Sequence, residues 1–298
     1  MIPVFQMAAA VLSCAIVQQP LLSCIPYALA DEAAAPQTQV LIPHKTGDAI
    51  DVALTADSAF VWDIATDTVL YDRNSDTERP VASLNKLVSS LAIRELLPSM
   101  QSSVEIPAEV RRAQLLGANI KLPIGQHASV EDLLAASLVP SANDAMVALA
   151  VAAKGSEEAF VEYANGYAAR HGLFHTKLAN ATGLQGGEQY STARDVKEML
   201  TMAYNDPVLR PYLSQQKGSL TTQEGTYREY VSTDKLLGTY LTILAGKTGY
   251  TIAAKENLAI ITAGPRGQKI GAVILGSDNR FQDAKTAVEY VVRNYTWP

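Results

Sequence analysis

Cysteine is almost missing from this chain: the two it has, Cys14 and Cys24, both fall within the first thirty residues. No disulfide framework or thiol centre can therefore organise the rest, which must be held by a hydrophobic core. Those thirty residues also lack any charged side chain, and no Lys or Arg precedes Lys45. Their apolar stretch is split by Gln18-Gln19-Pro20, and neither half reaches the roughly 18 apolar residues that a spanning helix needs. Basic runs and basic-aromatic stripes are missing too. With a net charge of −6 and a pI near 5.3, that argues against a nucleic-acid partner and favours small, neutral-to-cationic substrates. Of the four histidines, His44, His127, His171 and His175, none sits in a metal-ligand pattern, and Gly172 separates the last two. No metal and no cofactor are expected. Internal repeats and low-complexity tracts are absent as well.

What is present begins with a processing signal. Ala28-Leu29-Ala30 is a small-x-small site after an apolar segment and just before Asp31-Glu32, so residues 1–30 read as a signal peptide of an exported protein cleaved after Ala30. Leu21-Leu22-Ser23-Cys24 is a weaker, lipoprotein-like alternative, and an uncleaved anchor is the other. Residues 31–48, with Ala33-Ala34-Ala35-Pro36, read as a linker, which leaves 49–298 as one domain. The 48% hydrophobic content supplies a sizeable core.

Ala59–Asp63 and Thr68–Tyr71 are β-branched and aromatic runs around Ala65-Thr66-Asp67, which predicts a hairpin. Pro80 cannot sit inside a helix, while Leu87, Val88, Leu91, Ala92, Glu95 and Leu96 recur at helical spacing, so a helix starts close to Ser83. A loop-rich stretch from Ser102 to Gln126 follows. Four helices are then expected: one capped at Ser129 and interrupted by Pro140, one opened by Ser141 to Asp144, one from Ser156 to Gly172, and one from Thr192. Asp206-Pro207 predicts a short fifth. Strand patterns return at Thr226–Val231, Thr242–Lys247, Asn257–Ala263 and Lys269–Leu275, before a last helix over Gln282–Arg293. Strands at both ends with helices between cannot make a βαβ series. They imply an α+β fold with one antiparallel sheet built from both chain ends.

Ser83 and Lys86 share a face of the first helical turn, so the amine can reach the hydroxyl while unpaired backbone N–H groups face a developing anion. A lysine can act as a base only where burial or nearby cations favour its neutral form. Spacing alone is weak evidence, because Ser-x-x-Lys also occurs at 214–217 and 232–235. Lys45-Thr46-Gly47 and Ser277-Asp278-Asn279 are further decoys. The first precedes the nucleophile within the linker, and the second reads as the cap of the last helix.

Ser83-x-x-Lys86, Ser141-x-Asn143 and Lys247-Thr248-Gly249, in that order, with Asn180-Ala181-Thr182-Gly183-Leu184 and Ser191-Thr192-Ala193-Arg194-Asp195 between them, resemble the penicillin-recognising serine enzymes. The similarity is to the D-alanyl-D-alanine carboxypeptidases, the low-molecular-mass penicillin-binding proteins, over roughly residues 55–295. The resemblance implies a β-lactamase/transpeptidase-like fold, with the sheet beside a mostly helical subdomain. It implies catalytic roles for Ser83 as nucleophile, Lys86 as base, Ser141 as proton relay and Asn143 as positioner of Lys86 and the substrate amide. Lys247 and Thr248 would bind the substrate carboxylate, Gly249 would let the strand approach the peptide, and the amides of Ser83 and Tyr250 would form the oxyanion hole. The implied substrate is a peptidoglycan stem peptide, with β-lactams as acylating inhibitors, in the periplasm or at the cell-wall face of the membrane. A DD-endopeptidase is the alternative within the family, and a catalytically idle wall-binding protein or a β-lactamase lies outside it. Where relatives carry an acidic or polar residue and then glycine after Lys-Thr-Gly, this chain has Ile252 and Lys255. The sequence ends soon after the last helix, so a C-terminal β-domain is not expected.

Overall fold

The computed structural model describes residues 42–298. Cys14, Cys24, the cleavage site expected after Ala30 and most of the 31–48 linker lie outside the described residues. Along the chain, β1 (Ser58–Asp63) and β2 (Val69–Arg73) form the expected hairpin. Helices α1 (Asn85–Leu96), α2 (Val130–Leu138), α3 (Asn143–Lys154), α4 (Glu157–Arg170) and α5 (Ala193–Asn205) follow. A second hairpin comes next, β3 (Lys217–Thr221) with β4 (Tyr227–Val231). Then come β5 (Thr242–Thr251), β6 (Lys255–Ala263), β7 (Lys269–Ser277) and the closing helix α6 (Arg280–Asn294).

Five strands from the two ends of the domain make one antiparallel sheet in the order β2-β1-β7-β6-β5. Its central strands are covered on both faces, so β1 is buried at all six positions instead of alternating with solvent. Alternate residues feed two cores. Phe60, Trp62, Ile261, Val273 and Leu275 face the helical layer. Val61, Leu258, Ile260, Ile270 and Ile274 face the other way, against Ala284, Ala287, Val288 and Val291 of α6. Within the helical layer α3 is buried along its first eight residues, Asn143 and Asp144 included, as befits a central helix.

The caps behave as their chemistry requires. Ser129, Ser156 and Thr192 hydroxyls accept from the N–H groups of Asp132, Ala159 and Asp195 at 3.0, 3.1 and 3.1 Å. Asn279 caps α6 by accepting from Gln282 N–H at 3.2 Å. Four expectations need correction. The short helix after Asp206-Pro207 is a 3-10 turn, Arg210–Ser214, because Asp206 Oδ1 takes the N–H groups of Val208 and Leu209 in a local turn. Lys217–Thr221 is a strand that its polar, glycine-containing sequence hid. β5 extends through Lys247-Thr248-Gly249 to Thr251 and turns tightly at 252–254 into β6, where Lys255 takes a positive φ of 53°. Finally, His44 and Lys45, expected in a linker, pair with Thr296 and Tyr295.

Candidate active site

β5 is an edge strand, so one row of its backbone groups is free of sheet partners. That free edge runs beside the turn that carries Ser83. Ser83 lies in a 3-10 turn, Ala82–Leu84, which runs directly into α1. Ala82 holds a left-handed φ of 50°, a conformation costly for a residue with a Cβ and sustained only where the surroundings enforce it. They do so closely: a Cβ on Gly183 would lie 2.0 Å from Ala82 O, and one on Gly249 would lie 2.6 Å from Val81 O. The Asn180–Gly183 loop and strand β5 therefore clamp the turn from two sides, and glycine is required at each contact. Asn180 shapes its loop by accepting with Oδ1 from Gly183 and Leu184 N–H at 2.8 and 3.1 Å.

Pro140 ends α2, and Ser141 turns the chain with a φ of 63° before α3 begins at Asn143. This places the first side chains of α3 over α1. Lys86 Nζ lies 3.0 Å from Ser83 Oγ, 3.4 Å from Ser141 Oγ and 2.6 Å from Asn143 Oδ1. Lys247 Nζ reaches Ser141 Oγ at 2.8 Å from the opposite side. Asn143 is oriented by donating through Nδ2 to Leu116 O at 3.0 Å, while its N–H donates to Ala118 O at 2.8 Å. Asp144 pins the same loop by accepting from Ile120 and Leu122 N–H at 3.3 and 3.0 Å. Thr248 pairs its hydroxyl with that of Thr233.

Both lysines are buried, Lys86 completely and Lys247 to within 1%. Burial, reinforced by the charge of Lys247 and opposed by Asp144, holds the Lys86 amine well below the usual lysine range. Burial and then Arg280 bring Lys247 down to about 7, with Asp234 pulling the other way. A neutral Lys86 can accept a proton from Ser83, while a cationic Lys247 nearby favours that neutral form. Ser83 itself is half-buried and opens into a cavity of about 210 Å³, lined also by Asn143, Leu184, Thr248, Tyr250 and Arg280. Leu184 is shared with a neighbouring cleft of about 300 Å³.

All eight residues singled out in the sequence meet at this cavity or directly behind it. Tyr250 lines the cavity and is 61% exposed. Sequence reasoning missed Arg280, which donates through Nη1 to Gly249 O at 2.9 Å, and Asp234 and Asp144, which carry no motif. The decoys fall elsewhere. Lys217 and Lys235 are exposed, Thr46 and Gly47 N–H groups donate to Asn294 O at the end of α6, and Ser277 Oγ donates to Asp283. Among the described residues no group of three or more His, Cys, Asp or Glu is placed to hold a metal ion.

A serine next to a buried lysine, a second serine joining two lysines, and an edge strand along the first serine thus form one contiguous cluster. The family model for D-alanyl-D-alanine carboxypeptidases matches residues 44–279, and the chain belongs to that family. It is 32% identical over 240 residues to the D-alanyl-D-alanine carboxypeptidase DacF of Bacillus subtilis, covering 76% of this chain and 59% of that relative. To a D-alanyl-D-alanine endopeptidase of Pseudomonas aeruginosa it is 28% identical, covering 81% of this chain and 79% of the relative. A D-alanyl-D-alanine carboxypeptidase structure from Mycobacterium tuberculosis superposes with a TM-score of 0.74 at 23% identity, over 83% of this chain and 95% of that one. A Streptomyces DD-transpeptidase gives 0.76 at 22%, over 82% and 100%. These two likenesses show the α+β fold.

Proposed function

We propose that the chain is an exported D-Ala-D-Ala carboxypeptidase that trims peptidoglycan stem peptides through an acyl-enzyme on Ser83. The observation that carries this is the buried Lys86 amine, 3.0 Å from Ser83 Oγ and 2.6 Å from Asn143 Oδ1. The peptide adds along the free edge of β5, where backbone pairing aligns it and Gly249 lets it come close. Its terminal carboxylate meets Lys247, Thr248 and Arg280. Ser83 Oγ bonds to the penultimate carbonyl carbon as its proton passes to Lys86. The oxyanion is received by the Ser83 and Tyr250 amides, an arrangement in which one donor is worth ~3 kcal/mol. The C–N bond then breaks, and the proton travels through Ser141 to the leaving amine. Water, deprotonated by the same lysine, attacks the ester and frees Ser83. β-Lactams, which present a carboxylate beside a strained amide, acylate the same oxygen.

An idle binding protein would have no need of a lysine kept neutral against its nucleophile. The endopeptidase reading is the other member of this chemistry, supported by the Pseudomonas relative. Both reactions can present a carboxylate next to the scissile bond, so product analysis separates them. An uncross-linked pentapeptide and a purified cross-linked dimer are each incubated with the protein and followed by mass spectrometry. Free D-alanine from the first, with the dimer intact, is expected. Splitting of the dimer without D-alanine release would assign the endopeptidase. Release from residues 1–30 on export is tested by N-terminal sequencing of the secreted protein, with Asp31 as the expected first residue.

A further inference from the structure

The cleft of about 300 Å³ beside the catalytic cavity takes no part in the chemistry described so far. Its lining is of two kinds. Ala113, Val147 and Val161 are apolar and buried or half-buried, whereas Glu109, Arg112 and Glu158 are charged and exposed. Glu109 and Arg112 flank the short helical turn Val110–Ala113, three residues apart, a spacing at which opposite charges commonly pair. They do not pair here: among the described residues neither they nor Glu158 has an ion-pair partner. The fourth charged residue of the cleft, Glu157, is already engaged, accepting Ala181 N–H at 3.0 Å.

Leu184 lines both the cleft and the catalytic cavity. A Cβ on Gly117 would lie 3.3 Å from Leu184 Cδ2 and 3.0 Å from Asn143 Nδ2, so these three form one contact group in the cavity wall. Thr248 and Thr233, joined through their hydroxyls, form another. With the substrate carboxylate held at Thr248, the peptide on the acyl side of the scissile bond leaves the cavity past Leu184, towards the cleft.

We propose that this cleft is the subsite for the side chain of the third residue of the stem peptide, and that it selects a diamino acid whose far end carries an ammonium and a carboxylate together. The methylenes of such a side chain lie over Ala113, Val147 and Val161, as apolar stems do while their charged ends stay in water. Glu109 and Glu158 receive the ammonium. Arg112 receives the carboxylate, for which its planar donors are suited. Unpaired charges of both signs around one apolar floor match a zwitterionic end better than a simple cation, which Arg112 would repel.

This inference rests on the carboxypeptidase reading, and the experiment separates the two. Release of D-alanine is measured from three D-Ala-D-Ala peptides that differ only at the third residue: 2,6-diaminopimelate, lysine and norleucine. For the wild type kcat/KM should fall in that order, by roughly tenfold overall, the size expected of two partly solvated charge contacts. In Arg112→Gln the diaminopimelate and lysine peptides should become equal, and in the double variant Glu109→Gln, Glu158→Gln lysine should lose its advantage over norleucine. All three side chains are exposed, and each comparison is made within one variant, so a change in the amount of folded protein cancels. Equal kcat/KM on the three peptides, or preferences that survive both sets of substitutions, overturns the subsite while the carboxypeptidase stands. D-alanine release from none of the peptides refutes the carboxypeptidase reading, and the subsite with it.

Discussion

Gly249→Ala perturbs a close approach in the site without touching any side chain that does chemistry. The new methyl would lie 2.6 Å from Val81 O, 3.2 Å from Ser83 N and 3.3 Å from Ala82 Cβ. The first two are backbone atoms, so neither can swing aside. Relief requires β5 and the Ser83 turn to separate by on the order of half an ångström or more, since carbon and oxygen do not pack inside about 3 Å. The turn has little room to shift, because Gly183 already packs against Ala82 O. The separation therefore pulls the Tyr250 and Ser83 amides apart. An oxyanion hole works with donors about 2.7–3.1 Å from the oxygen, and losing one costs ~2.7–4 kcal/mol, or 10²–10³ in rate. The expected outcome is a fall of that size in the second-order rate of acylation by a fluorescent penicillin, measured by stopped flow. Stability should drop by only ~1–3 kcal/mol in urea unfolding, the ordinary cost of overpacking. Acylation at the wild-type rate by a folded Gly249→Ala protein would refute the oxyanion assignment and the clamp together.

Two further outcomes follow from the buried charges. Lys247 releases its proton near 7 when folded and near 10.4 when unfolded. Between those values the unfolded chain binds the extra proton, and Lys86 acts in the same sense. Stability should therefore rise with pH from about 7 to 9.5, with Lys247 contributing up to ~1.4 kcal/mol per unit, and Lys247→Met should remove that part of the slope in urea titrations. A flat profile would contradict the burial of both amines. Asp144→Ala strips the acceptor from three backbone N–H groups, those of Ile120, Leu122 and Ala145, and one from the Gln114 amide. It should cost roughly 3–5 kcal/mol of stability and slow acylation, because the freed loop carries Leu116 O and Ala118 O, the partners of Asn143. Loss of stability without slower acylation would show that Asn143 is held by α3 alone.

How far the sequence reached can be judged from individual residues. Ser83, Lys86, Ser141, Asn143 and Lys247 were legible through the family resemblance that their three motifs carry in that order, since the Ser-x-x-Lys spacing alone recurs at 214–217 and 232–235. The sheet was legible because β-branched runs at both chain ends needed a common partner. Ala82 was not, since its φ of 50° is imposed by Gly183 and Gly249, which lie far away in sequence. Arg280 reads as one more charge at the start of a helix until the fold lays it against Gly249 O. Asp144 has meaning only through the backbone N–H groups that tertiary packing brings to it. Lys217–Thr221 was missed because Lys, Gly, Ser and Thr carry little strand signal, and pairing with β4 overrode it.

The measurement that bears most directly on the whole account is the site of acylation. The purified protein is incubated with a penicillin, digested, and mapped by mass spectrometry, alongside Ser83→Ala. The account predicts a single adduct on the peptide that contains Ser83, and none in the variant, which should fold as the wild type does because only one half-buried hydroxyl is removed. An adduct on Ser214 or Ser232, or persistent acylation of Ser83→Ala, would contradict it.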